Sequence, residues 1–310
     1  MLTHIPFRSW CPYCVMGRGR QDAHKPKGEK EEKRVPGILM DYAYLNPDDK
    51  EHNKPILVMK DQKAGKHVAM MVNRKGEDPR AIQVGAREVR RMGYGSMIWK
   101  SDQEPSIVSF KEKMRKELGA GYDISMEESP VYSHQSNGEM EEAVSKVKGI
   151  WKTIRMATEA KYKRKIMEGE DVMSWMVTHA ADSYNRYHVG SDGRTNYQRV
   201  KGKKFVKEVC EFGEGVMAMR QTDGKKLDSK ENWFEGIWLG IREESGEVMI
   251  GTKEGVVKCR TVRRFAKEED RWKRSRLDEM KGTPCEPIEG SESIEVKAAI
   301  KEKEGKEEDT

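Results

Sequence analysis

Three short apolar runs, GILMDYAYL (37–45), PILVMKD (55–61) and HVAMMV (67–72), are bounded by Pro, Gly, Asn and Asp. Runs of that length between turn formers predict three consecutive strands. The period then changes: DPRAIQVGAREVRRMG (78–93) places Ile82, Ala86 and Val89 on one helical face, with Gly93 as its stop. SMIW (96–99) predicts a fourth strand, EPSIVSFKEKMRKELG (104–119) a second helix with Ile107, Phe110, Met114 and Leu118 inward, and YDISM (122–126) a short fifth strand. A long helix opening near Asn137 turns Met140, Ala143, Val147 and Trp151 to one side and can reach Ile166. Another follows at 171–189 with Val172, Trp175, Met176 and His179 inward. After Gly190 the texture is β again (214–219, 236–243, 247–252, 255–264), which predicts a small antiparallel barrel.

Four segments result: a stub and charged linker (1–35), a mixed α/β core (36–190), a small β module (191–265) and a tail (266–310) whose Glu- and Lys-rich composition predicts disorder. Charged residues (36%) match hydrophobic ones (35%), so part of the chain has too little apolar surface to pack. The net charge of +6 is compatible with a polyanionic partner but does not demand one. No stretch is long and apolar enough for a membrane span, and MLTHIPFRSW lacks a signal-peptide apolar region, so an intracellular protein is expected. Five cysteines, with only Cys11 and Cys14 close together, argue against a disulfide scaffold.

Three carboxylates fall at telling places: Asp41 on the first strand, Asp102 just after the fourth, and Glu141 early in the long helix. Singly, each has an ordinary reading, as a half-exposed strand residue, a helix cap or a complement to the helix dipole. Glu88, among arginines in AREVRRM, reads as a salt-bridge partner. Along the long helix, Glu141, Ser145, Lys148 and Lys152 share a face, and eight Lys or Arg lie between Lys146 and Lys165 against one acid, Glu159.

The element order resembles the ribonuclease H fold, a mixed sheet flanked by helices in which the first and fourth strands end side by side. LMDYAYL, WKSDQEPS and SPVYSHQSNGEMEEAV resemble the D,D,E signature of retroviral and retrotransposon integrases. Ser129, Pro130, Tyr132, Gln135, Ser136, Gly138 and Glu141 match its third segment in register. His134 stands where the family often has Pro, and 38 residues separate Asp102 from Glu141, slightly more than usual. The resemblance implies that Asp41, Asp102 and Glu141 meet and hold two Mg²⁺ or Mn²⁺ ions, which suits clustered carboxylates that otherwise repel. It assigns Glu141 the third ligand and leaves Glu139 the dipole role. It also implies DNA as partner, guided by Asn137, Lys148 and Lys152, a homo-oligomer, action in the nucleus, and 3′-end processing with strand transfer.

The flanks resemble the family loosely. Cys11 and Cys14 have the spacing of half a zinc site, which His4 or His24 would complete; two free thiols is the competing reading. The 204–264 region resembles the SH3-like domain of some integrases, with Arg260, Arg263 and Arg264 as DNA contacts or solvated side chains. Two other functions stay open: a domesticated copy that binds nucleic acid without chemistry, and a ribonuclease H-like nuclease, which would recruit Glu88.

Overall fold

A computed structural model describes residues 35–46, 54–128, 134–167, 169–221 and 231–298, with the backbone alone for 134–137. The first nine elements are β1 (Gly37–Tyr44), β2 (Pro55–Asp61), β3 (His67–Met71), α1 (Pro79–Met92), β4 (Ser96–Ser101), α2 (Pro105–Leu118), β5 (Asp123–Glu128), α3 (His134–Tyr162) and α4 (Asp171–Tyr187). Strands β1 to β3 pair antiparallel, as short connections allow, whereas β4 and β5 join parallel to β1 through helical crossovers. The sheet order is β3-β2-β1-β4-β5, which fits a ribonuclease H-like core and sets the ends of β1 and β4 side by side.

Each face of this sheet has its own core. Ile38, Met40, Tyr42, Leu57, Met59 and Trp99 pack under α1 and α2, while Leu39, Ile56 and Val58 pack under α3 and α4. That alternation follows the two-residue period of a strand buried on both sides. Trp99, Phe110 and Ile107 are fully buried, each contributing about 1.5–3 kcal/mol of transfer free energy.

Caps fix the helix ends. The Asp78 side chain accepts from the amides of Arg80 (3.1 Å) and Ala81 (3.3 Å), and α1 stops at Gly93, which has φ +74°. Helix α3 begins at His134, earlier than its apolar period announces, and ends at Tyr162, short of Ile166. Lys163 turns left-handed there, and Glu159 accepts from the Ile166 amide at 3.0 Å while pairing with Arg155 and Lys165, so the chain leaves the helix axis.

Helix α5 (Asn196–Lys201) leads to a second sheet: β6 (Gly215–Met219), β7 (Trp233–Ile241), β8 (Val248–Thr252), β9 (Gly255–Cys259) and β10 (Val262–Arg264). Its order is β10-β6-β7-β8-β9, antiparallel throughout. Among the described residues the pairings describe a sheet, and closure into a barrel is not among them. Trp238, Val216, Ile250 and Val257 fill its own core. Ile237, Leu239 and Val256 on its other side join the core beneath α4, and the chain from Val35 onward forms one compact unit.

The tail departs from expectation. Residues 266–298 are ordered against the rest, through α6 (Glu268–Arg271), α7 (Arg274–Glu279) and an extended strap. Trp175 Nε1 donates to the Gly282 carbonyl (2.8 Å), the Val256 amide to Pro287 (2.8 Å) and the Lys258 amide to Lys297 (3.0 Å). Leu277, Met280, Cys285 and Val296 are buried, and Arg80 pairs with Glu286. These few apolar residues are too widely spaced to show a period, yet each finds a slot on a surface the core already provides.

Candidate active site

The parallel register pairs Leu39 with Lys100, and Asp41 and Asp102 each lie two residues further along their strands. Two carboxylates therefore come together at the ends of β1 and β4. Asp41 is half-buried and accepts from the Tyr42 amide at 2.7 Å. Burial, with the Asp102 charge beside it and Glu104 further off, pushes its carboxyl up to about 6.

Lys75 offsets part of this negative charge. Its ammonium reaches both Glu104 oxygens (2.9 and 3.1 Å) and lies over the rings of Tyr42 and Tyr44 (5.7 and 5.2 Å). Burial raises the Glu104 carboxyl, but hydrogen bonds from Ser106 and Lys75 outweigh it and hold the group below its ordinary value. Tyr42 is fixed by accepting the Gly76 amide (3.1 Å) and by edge-on contact with Phe110 (6.2 Å). Burial pushes its phenol up to about 12, so it stays a neutral wall of the site.

An adjacent carboxylate pair, one member of which is raised to about 6 by burial and by its neighbour's charge, is a donor set for a hard divalent cation. The residues present thus fit Mg²⁺ or Mn²⁺ at two of the three expected ligands. Glu141 is the third expectation, and the structure leaves it exposed on α3, outside the pair. Among the described residues, no group of three His, Cys, Asp or Glu side chains is gathered for a metal.

The reason lies in how α3 starts. Glu139, two residues earlier, accepts from Gln62 Nε2 (2.6 Å) and pairs with Lys60 (3.1 Å), pinning the opening turns to the end of β2. Two residues of helix rotate a side chain by roughly 200°, so Glu141 faces away from that anchor. Glu139 accordingly does more than complement a dipole: it is a tertiary tie.

Lys148 and Lys152 share the outward face with Glu141, Lys148 half-buried and Lys152 exposed. Much of the basic stretch is otherwise engaged: Lys146 with Glu142, Arg155 and Lys165 with Glu159, Lys161 with Glu268, and Arg164 with Glu170 and Asp278. Glu88 pairs with Lys66, Arg87 and Arg91 far from the Asp41–Asp102 pair, in the salt-bridge role read from the sequence. Arg264 is bound to buried Glu214 at 2.7 Å, whereas Arg260 and Arg263 are exposed. Cys210, Cys259 and Cys285 are buried free thiols. Cys11, Cys14 and the Asn137 side chain lie outside the described residues.

Sequence reasoning missed Lys75 and Glu104. Glu104 stands in the quoted WKSDQEPS segment two residues past Asp102, which was signal enough; Lys75 reaches the site only through the turn after β3 and leaves no local mark.

A scan of family models finds no match, and a search of curated proteins finds none. Among solved structures, the simian T-cell lymphotropic virus intasome in complex with PP2A regulatory subunit B56 gamma is 17% identical, with a TM-score of 0.44 over 83% of this chain and 88% of that one. The BIV integrase catalytic core domain is 21% identical with a TM-score of 0.35, over 52% and 91%. The HTLV-2 integrase catalytic core domain in complex with magnesium is 13% identical with a TM-score of 0.37, over 52% and 93%. At scores this low these are similarities only, and the strand order and register carry the fold. No helix among the described residues is long and apolar enough to cross a membrane.

Proposed function

We propose that this chain is a retrotransposon integrase, a polynucleotidyl transferase that trims DNA 3′ ends and joins them to a target strand in the nucleus. The observation that carries this reading is the Asp41–Asp102 pair at the adjacent ends of β1 and β4, in a chain whose third segment runs SPVYSHQSNGEME into the basic helix α3. Asp41 and Asp102 would hold two Mg²⁺ or Mn²⁺ ions, with Glu141 brought in when the opening turns of α3 leave the Glu139 anchor. Such ions polarise the phosphodiester and stabilise the attacking and leaving oxygens. Lys148, Lys152 and Asn137 would hold the DNA backbone, each lysine adding salt-dependent affinity. Lys75 keeps the acidic pair tolerable until cation and DNA arrive. The second sheet, with Arg260 and Arg263 outward, would extend the DNA surface as an SH3-like module, and the active form would be a homo-oligomer.

A strand-transfer reaction with purified protein, Mn²⁺ and an oligonucleotide bearing the element's end tests this. The expected result is joining that is lost in Asp41→Asn and Glu141→Gln and kept in Glu88→Gln; loss with Glu88→Gln instead points to a ribonuclease H-like nuclease. One observation favours a second reading: Glu141 stands outside the pair, as in a copy that binds nucleic acid without chemistry. Tight, salt-dependent DNA binding with no joining by the wild type would decide for that module.

A further inference from the structure

Gly149 sits in the middle of the 29-residue helix α3, where glycine costs roughly 0.5–1 kcal/mol relative to alanine. Nothing inside the molecule requires it: a Cβ there would meet no atom within 4 Å. It lines an open hollow of about 520 Å³ between α3 and the end of α4, with Lys146 at the rim and Tyr184, Tyr187 and His188 across from it.

The floor of this hollow is aromatic. The rings of Tyr184 and His188 stack at 4.4 Å and 14°, the Lys146 ammonium lies 5.3 Å above Tyr184, and Tyr187 is 54% exposed. Tyr187 also meets Phe205 edge-on at 6.1 Å. Phe205 belongs to KGKKFVK (201–207), where Lys203 and Lys204 are exposed and Val206 is 88% exposed. A strip thus runs from Lys146 on α3, across the tyrosines of α4, to Lys203 and Lys204.

We infer that the hollow between Gly149 and Tyr187 seats an unpaired nucleobase of a single-stranded nucleic acid, with its phosphates held by Lys146 on one side and Lys203 and Lys204 on the other. Cationic side chains on both flanks complement a phosphate backbone, and aromatic faces between them complement bases. Only a base outside a duplex can lay its face on such a ring, so the occupant is a single strand or a frayed end. The missing side chain at Gly149 leaves the space a base would fill. The inference goes beyond strand joining and does not depend on it, since binding requires no chemistry at Asp41 or Asp102.

The experiment is fluorescence anisotropy with labelled oligo-dT and with a blunt duplex of the same length, on wild type, Gly149→Leu, Tyr187→Ala and the Lys203→Gln/Lys204→Gln double variant. Both altered positions of the hollow are at the surface, and circular dichroism confirms that each variant is folded. Expected is roughly tenfold weaker oligo-dT binding by Gly149→Leu and by Tyr187→Ala, with duplex binding unchanged in both. The lysine double variant is expected to weaken both ligands and flatten the salt dependence. If Gly149→Leu and Tyr187→Ala bind oligo-dT as the wild type does, the inference fails. It fails equally if those two variants instead shift the sedimentation equilibrium between monomer and dimer without changing oligo-dT binding, which would give the hollow to a second copy of the chain.

Discussion

Asp41 and Asp102 stand side by side because β1 and β4 are parallel neighbours in register, two residues beyond the Leu39–Lys100 pair. Burying Asp41, with the Asp102 charge beside it, costs stability. The Asp41 carboxyl is raised from 3.8 to about 6, so between those values the folded protein holds a proton that the unfolded chain has released. Stability therefore falls as pH rises from about 4 through 6, and the full cost is present at pH 7. Asp41→Asn removes it: urea unfolding is expected to show the variant more stable than wild type by roughly 1–2 kcal/mol at pH 7, after allowance for solvent screening, and no gain at pH 4. Asp182, also raised to about 6 by burial, titrates in both proteins and cancels in the difference.

Lys66 is 3% exposed and ties the two halves of the molecule, with Nζ 2.8 Å from Glu243 and 3.8 Å from Glu88. Burial depresses its ammonium, but Glu88 and Glu243 outweigh that and hold it above its ordinary value. Lys66→Met leaves two half-buried carboxylates facing each other and is expected to cost about 3–5 kcal/mol at pH 7. Adding Glu243→Gln should restore part of the loss; simple additivity of the two in a double-mutant cycle would show that they do not interact.

The strap from Lys281 onward is held at a point no side chain fits. Gly282 has φ +92°, and a Cβ there would collide with the Pro287 carbonyl. Gly282→Ala is expected to cost roughly 1–3 kcal/mol and to lower the melting temperature. The same change should expose Cys285, which in the native protein is 7% exposed with its thiol pushed up to about 12. Wild-type Cys285 then resists a thiol reagent until unfolding, while the variant reacts; equal rates would detach the strap from the core.

Glu159 gathers Arg155, Lys165 and the Ile166 amide at the end of α3. Glu159→Ala removes three partners at once and is expected to destabilise by about 2–3 kcal/mol in urea unfolding. A change within error would mean that the helix end is fixed by the Tyr162 hydroxyl bond to Gly213 (2.6 Å) alone.

The fold was legible wherever period and punctuation agreed. Strands β1 to β5 and helices α1, α2 and α4 follow from apolar spacing plus the stops at Gly93 and Gly119, because local signals and tertiary packing point the same way there. Asp41 and Asp102 were legible because the element order resembles the ribonuclease H fold, in which the first and fourth strands end side by side. The position of Glu141 was not, since it depends on Lys60 and Gln62, partners far away in sequence that reward Glu139 instead. The ordered tail escaped for a similar reason: Cys285 and Val296 are single apolar residues serving slots built by α1, α4 and β9, and nothing periodic announces them.

The central claim is that Asp41 and Asp102, completed by Glu141, hold a divalent cation. Calorimetric titration of Mn²⁺ into the wild type at pH 7 tests it most directly, with Asp41→Asn and Glu141→Gln alongside. Expected is saturable binding by the wild type, weaker at pH 5 where Asp41 is protonated, abolished in Asp41→Asn and weakened in Glu141→Gln. Mn²⁺ binding that survives Asp41→Asn unchanged, or no binding by the wild type, would contradict it.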